Sequence, residues 1–154
     1  MHDPPAPTAQ DDPYDLQRFV QAQRGCCQQA LGEIREGQKQ SHWMWFVFPQ
    51  FRGLGFSATS GHFAIQSLAE ARAYLDHPVL GPRLVECFEA VGASDRSAHD
   101  LFGYPDEMKL QSCATLFAAV KPDAGVFQQV LADKYASQRD QRTLELLDVV
   151  PQEE

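Results

Sequence analysis

Apolar residues recur along most of the chain at the spacing of amphipathic helices. Leu16, Phe19 and Val20 share one helical face, and a similar face runs from Cys27 to Ile34. Three longer apolar stripes follow: Leu80, Leu84, Cys87, Phe88 and Val91; Leu110, Cys113, Leu116, Phe117 and Val120; and Val126, Phe127, Val130, Leu131 and Tyr135. The pattern predicts an all-α fold, a single compact domain of about six to eight helices.

Local signals mark where several of these helices begin and end. The segment from Ser67 to Glu70 fits a capping box, in which the serine hydroxyl accepts a hydrogen bond from the glutamate amide. His77 is placed to cap the helix that follows it, and Asp140 is placed to cap the last one. Gly37 ends the second helix, because glycine readily adopts the backbone conformation found just past a helix C-terminus.

A different pattern occupies residues 41–51, whose sequence is SHWMWFVFPQF and which hold both tryptophans of the chain. Trp45–Phe48 looks strand-like, and so does His62–Gln66, but two such short pieces do not make an independent sheet. Aromatic side chains bury large areas and dominate core energetics. We therefore expect one irregular, aromatic-rich segment to cross the centre of the helical domain.

The length of 154 residues fits one domain. Residues 1–12 are rich in proline and aspartate, so they are expected to form a disordered arm. Residues 13–148 contain the helical patterns without a repeat or a low-complexity linker, and they form the predicted domain. Residues 149–154 are expected to be a short acidic tail.

Charge and cysteine content argue against several kinds of partner. The net charge is -8, and the basic residues are not clustered as binding to a nucleic-acid backbone requires. No apolar run has the length of a membrane span, and the N-terminus lacks the apolar region of a signal peptide. The four cysteines and the scattered histidines lack metal-ligand spacing. We predict no metal site, no cofactor and a cytoplasmic protein with reduced thiols.

Two residues are candidates for catalysis. His42 lies where a polar helix end meets the aromatic segment, and an imidazole there can titrate near neutral pH and move a proton. The alternative is a histidine that fixes the turn through a backbone carbonyl. Lys109 lies in the first turns of a helix, where the macrodipole favours anions, so it is a candidate to hold an anionic ligand or a carboxylate. The alternative there is a solvated lysine in a weak surface ion pair.

Five further residues are candidates for ligand binding. Trp43 and Trp45 are two positions apart, which in an extended segment places both indoles on one side, as walls for a planar ring. Ordinary core packing is the alternative for each of them. Gln50 brings an amide into an apolar run, Arg52 brings a positive charge, and Ser112 belongs to the polar seam of the lysine-bearing helix.

Longer motifs carry a resemblance to a known family: SHWMWF at 41–46 with PQ at 49–50, HPVLG at 77–81, KL at 109–110 and TLF at 115–117. Over about residues 13–148 the chain resembles the bacterial domain-of-unknown-function family 1810, small helical proteins sometimes mislabelled calpastatin. The resemblance implies an all-α fold and no established activity.

A shorter likeness is to the NADAR group of helical proteins, which is associated with NAD and ADP-ribose metabolism. The segment DEMKL at 106–110 is similar to the acidic-x-x-Lys helix of that group, and SHW at 41–43 resembles its Glu-His-aromatic motif. Ser41 stands where that motif has a carboxylate, and a hydroxyl cannot replace a carboxylate as a general base. The likeness therefore supports nucleotide binding more than N-glycosidic cleavage.

Two functions remain open from the sequence. The first is a pocket for a small anionic metabolite, nucleotide-like or ADP-ribose-like, with or without catalysis. Arg35, Lys39 and Arg52 flank the aromatic segment, and if Lys109 comes near them and His42, one positive pocket results. The alternative is a non-enzymatic protein-interaction module whose aromatic motif is purely structural core. Neither nucleic acid nor a membrane is an expected partner, and the sequence leaves the oligomeric state open.

Overall fold

The structure, a computed structural model, describes residues 12–122 and 125–149. The described residues form ten α-helices: α1 (Gln17–Ala22), α2 (Cys26–Glu36), α3 (Met44–Val47), α4 (Ala58–His62), α5 (Leu68–Asp76), α6 (Leu80–Ala93), α7 (Ala98–Phe102), α8 (Asp106–Val120), α9 (Gly125–Tyr135) and α10 (Gln141–Val149). The prediction of one compact all-α domain is confirmed, and six of the helices have seven or more residues. The predicted arm at 1–12 and tail at 149–154 fall almost wholly outside the described residues.

Helix α8 lies at the centre of the core and packs against α5, α7, α9 and α10. Its stripe from Leu110 to Phe117 is fully buried, as the apolar spacing predicts. The Phe117 ring contacts the rings of Tyr74 and Phe127 at centroid distances of 5.6 and 5.7 Å. Because α8 is held on several sides, its N-terminal turn, which carries Lys109, has a fixed position.

The predicted caps form. The Ser67 hydroxyl accepts a hydrogen bond from the Glu70 amide at 3.1 Å. The imidazole Nδ1 of His77 accepts from two backbone amides at the start of α6, at 3.1 and 3.2 Å. The Asp140 carboxylate accepts from the Thr143 amide at 2.8 Å. These contacts span four residues or fewer, which is why the sequence alone can indicate them.

The aromatic segment crosses the core as expected, and the part of it that looks strand-like in the sequence forms a helical turn. The strand-like residues Trp45–Phe48 mostly belong to α3, a single turn over Met44–Val47. In the described residues of His62–Gln66, pairing is limited to one isolated parallel bridge between Phe51 and Ile65. Without a neighbouring strand, a helical turn satisfies the buried backbone groups locally, and this outweighs the preference of aromatic residues for strands.

Candidate ligand-binding site

The two tryptophans of the aromatic segment differ in burial. Trp45 belongs to the helical turn α3 and Trp43 is the residue just before it, so the segment is not extended and the spacing argument for two indoles on one side does not apply. Trp43 is 1% exposed, and its ring contacts those of Phe48 and Phe102. Trp45 is half-buried and forms part of a surface cavity.

A buried carboxylate fixes the loop before Trp43. Glu33, on α2, accepts hydrogen bonds from the Gln40 amide at 2.7 Å, the Ser41 amide at 3.0 Å, the Ser41 hydroxyl at 2.7 Å and the Trp43 indole N–H at 3.0 Å. Burial opposes ionisation of Glu33, but these hydrogen bonds outweigh it and lower the pKa to about 2. Gly37 starts the loop with a positive φ of 97°, which glycine adopts without strain.

The cavity beside Trp45 has a volume of about 300 Å³. We call it the Trp45 cavity. It is bordered by residues of the loop before α3, of α3 itself, and of the N-terminal regions of α4 and α8. Its lining residues are Lys39, His42, Met44, Trp45, Phe46, Ser57, Thr59, Asp106 and Lys109. Apolar rings, hydroxyls and cations thus converge on one concave surface, as they do in ligand sites.

Two lysines share one carboxylate at this cavity. Lys39 Nζ lies 2.9 Å from Asp106 Oδ2, and Lys109 Nζ lies 3.0 Å from Asp106 Oδ1. Burial acts to raise the pKa of Asp106, but the hydrogen bonds from the two ammonium groups prevail and lower it. At neutral pH the carboxylate is ionised, and two ammonium charges against one carboxylate leave a net positive charge beside the cavity.

Each ammonium group also lies over an indole ring. Lys39 Nζ is 5.1 Å from the ring centroid of Trp43, and Lys109 Nζ is 4.6 Å from that of Trp45. Both distances are within the range of cation–π attraction. The lysine side chains are 9% and 23% exposed, respectively. They are therefore held in place and partly desolvated, which strengthens their interaction with an incoming anion.

His42 is an exposed residue of the site. In the part of the chain that the structure describes, its ring makes no hydrogen bond to the protein, so the alternative of a histidine fixed by a backbone carbonyl does not occur there. An imidazole that borders a cavity without a protein partner is available to a ligand.

The structure brings three of the seven predicted site residues together: His42, Trp45 and Lys109 all line the Trp45 cavity. The two candidate catalytic residues, from distant parts of the chain, thus share one pocket. Lys39, one of the flanking cations, joins them. Arg35 does not, because it pairs with Glu86 on another part of the surface, at 3.6 Å.

The other four predicted residues do not line the cavity. Trp43 is sealed in the core, and Gln50 is 3% exposed with no described partner for its side-chain nitrogen. Arg52 is exposed, and its Nε donates to the Gln66 carbonyl at 3.3 Å. The Ser112 hydroxyl donates to the backbone carbonyl four residues earlier in α8, at 3.0 Å. Ser112 therefore bonds to its own helix and does not face the cavity.

Sequence reasoning missed Asp106 as a member of the site, together with the hydroxyls of Ser57 and Thr59. One signal was available for Asp106, because it precedes Lys109 by three residues on a predicted helix and such residues are neighbours. The pairing of Asp106 with Lys39 could not be predicted from the sequence, because it depends on how α8 packs beside the loop after α2.

Neither a metal site nor a membrane-spanning helix is found in the described residues. No group of three or more His, Cys, Asp or Glu side chains there is arranged to hold a metal ion. Within 12–122 and 125–149, no helix combines the length and apolar character needed to cross a bilayer.

Comparisons with known proteins agree with the fold. The family model described as protein of unknown function, DUF1810, matches residues 13–147. The crystal structure of the conserved hypothetical protein Rv1873 from Mycobacterium tuberculosis is 47% identical, with a TM-score of 0.87. The match covers 90% of this chain and 99% of that one. Among curated proteins, none matches.

Proposed function

The chain belongs to the DUF1810 family of proteins of unknown function, and we propose that its Trp45 cavity binds a small anionic metabolite of the nucleotide or ADP-ribose class. The observation that carries the proposal is the convergence of Lys39, Lys109 and His42 on one cavity beside Trp45. Lys39 and His42 come from the loop before α3 and Lys109 comes from α8, so their meeting depends on how α8 packs beside that loop.

Charge supports an anionic ligand. The protein as a whole carries a net charge of -8, yet two ammonium groups border this cavity and, among the described residues, both pair with Asp106 alone. A phosphate oxygen that approaches Lys39 and Lys109 gains charge-assisted hydrogen bonds with both. Since the two ammonium groups are partly desolvated and already in place, little side-chain entropy is lost on binding.

Size and lining support a ligand with a ring or sugar attached to the anionic group. A volume of about 300 Å³ is at the small end of the range for ligand sites. It suits a mononucleotide or one half of ADP-ribose. Phe46 and Met44 offer apolar surface, while Ser57 and Thr59 offer hydroxyls to a sugar. Any proton transfer in such a complex falls to His42, because its ring is exposed at the cavity.

The proposal revises three roles suggested by the sequence. Of the flanking cations, Lys39 lines the cavity and Arg52 does not, and Gln50 also lies outside the lining. The indole at the ligand is that of Trp45, because Trp43 is sealed. Since the Lys109 ammonium already lies over the Trp45 ring, Trp45 acts mainly as a wall that holds the lysine.

A thermal-shift and calorimetric titration with AMP, ADP-ribose and ribose 5-phosphate tests the proposal. A ligand at 100 times its dissociation constant adds about 2.7 kcal/mol of stability, which for a chain of this size raises Tm by about 5–10 °C. We expect Lys109→Met to abolish the shift. Lys121→Met is the matched control, because Lys121 is exposed just past the other end of α8, about 18 Å away.

No shift with any of the three ligands, or an unchanged shift in Lys109→Met, would contradict the binding proposal. Those results would favour the alternative, a non-enzymatic interaction module. One observation bears on that alternative: Phe56, Tyr104 and Met108 are large apolar residues that are exposed, and such residues mark a protein–protein contact where they form one contiguous patch.

A further inference from the structure

Phe56 stands apart from the other aromatic residues. All ten phenylalanines of the chain lie in the described residues, and nine of them are buried or half-buried. Phe56 is 100% exposed. A side chain of this size without any packing contact gives up the hydrophobic stabilisation that the other nine obtain. The positions of its two neighbours in the chain relate Phe56 to the Trp45 cavity.

The residue before Phe56 is pressed against the wall of the cavity. A Cβ atom added to Gly55 would lie 2.7 Å from Cη2 of Trp45 and 2.6 Å from the Cβ of Ser60. Both distances are shorter than side chains tolerate, so only glycine fits at this close approach. The backbone at Gly55 therefore lies directly on the indole that borders the cavity.

The residue after Phe56 is fixed as well. Ser57 lines the cavity, and its hydroxyl accepts a hydrogen bond from the Ser60 amide at 3.0 Å, which caps α4. Phe56 thus lies between a residue that touches Trp45 and a residue that lines the cavity. Its backbone is held at the rim, while its ring projects freely into solvent.

We propose that Phe56 is the outer wall of the ligand site and stacks on the base of a bound nucleotide whose phosphate lies between Lys39 and Lys109. This inference rests on the proposed function and narrows it, because it requires a ligand that carries a planar ring. The Trp45 ring is already covered by an ammonium group, so stacking on the base falls to the unoccupied ring of Phe56. Aromatic rings stack on any nucleobase, whatever its identity.

A comparison of AMP with ribose 5-phosphate tests the role of Phe56 separately from the proposed anion site, because both ligands contain a sugar and a phosphate. AMP carries a base and ribose 5-phosphate does not. With the unmodified protein, we expect AMP to bind about tenfold more tightly. Phe56→Ala should bind ribose 5-phosphate as before and lose the preference for AMP, while Phe56→Trp should restore it. Because Phe56 is fully exposed, neither substitution should change Tm without ligand.

Equal binding of AMP and ribose 5-phosphate by the unmodified protein would overturn the role of Phe56 and leave the anion site intact. The same holds if Phe56→Ala keeps the tenfold preference, or weakens both ligands equally. Failure of both ligands to bind, with Lys109→Met indistinguishable from the unmodified protein, would overturn the anion site and the inference together.

Discussion

Two carboxylates that contact the segment 39–43 differ in the donors that they accept from. Glu33 is buried and accepts four hydrogen bonds from uncharged donors of the loop and of Trp43. Asp106 borders the Trp45 cavity and accepts from two ammonium groups. Both have lowered pKa values, one because of neutral donors and the other because of cations.

The difference assigns Glu33 to the stability of the fold and Asp106 to ligand binding. The contacts of Glu33 are complete within the protein, so a ligand has nothing to add there. Asp106 leaves a positive charge unbalanced beside an open cavity, and an anion can balance it. We therefore expect substitutions of Glu33 to change the free energy of unfolding, and substitutions of Asp106 to change ligand affinity.

The largest expected effect is that of Glu33→Leu. The substitution leaves the buried indole N–H of Trp43 and the loop amides without their acceptor, and an unsatisfied buried donor is costly. We expect the free energy of unfolding, measured by urea denaturation, to fall by about 3 kcal/mol. Glu86→Leu is the control, because Glu86 is half exposed and only pairs with Arg35 at 3.6 Å. It should change stability by less than about 0.5 kcal/mol. Similar losses in the two variants would contradict the role given to Glu33.

The pH dependence of stability is the next largest effect. The pKa of Glu33 is lowered from 4.5 to about 2, so its stabilising contribution is complete above pH 4.5 and is lost as the pH falls through about 2. The stability difference between the unmodified protein and Glu33→Gln should therefore shrink below pH 4.5, by at most about 1.4 kcal/mol per pH unit. Urea denaturation at pH 6, 4 and 3 measures it. The other carboxylates titrate in both proteins, so a difference that stays constant with pH would count against this assignment.

Asp106→Asn should have a smaller effect, and on binding. The amide oxygen can still accept a hydrogen bond from one lysine, but the negative charge that competes with a phosphate is gone. We expect AMP to bind roughly fivefold more tightly, a gain of about 1 kcal/mol, with unfolding changed by no more than that. Isothermal calorimetry at two salt concentrations checks the electrostatic origin, since added salt should reduce the gain. Weaker binding would mean that Asp106 positions the lysines more than it competes with the ligand.

Local signals account for what the sequence predicts well. The caps at Ser67, His77 and Asp140 involve residues four or fewer positions apart, and the stripe on α8 repeats with the helical period. The strand-like pattern at Trp45–Phe48 does not correspond to a strand, because side-chain type was the only local evidence there. Nothing nearby in the sequence shows that the segment has no strand to pair with.

The candidate site shows the same division. His42 and Lys109 could be identified as candidates from their residue types and their neighbours in the sequence. Whether they share one pocket could not be predicted, because that depends on the packing of α8. The direction of each indole could not be predicted, because it follows from the turn of α3 and from the bond between Trp43 and Glu33. Partners distant in sequence, such as Lys39 and Asp106, are set by helix packing and leave no pattern in the chain.

Tryptophan fluorescence during a titration with AMP tests the central claim most directly, because one indole borders the cavity and the other is sealed. We expect AMP to change the emission of the unmodified protein, and we expect Trp45→Phe to lose that change while calorimetry still detects binding. Lys109→Met should lose both signals. A change in emission of undiminished size in Trp45→Phe, or AMP binding that leaves the emission of the unmodified protein unaltered, would contradict the claim that the Trp45 cavity is the ligand site.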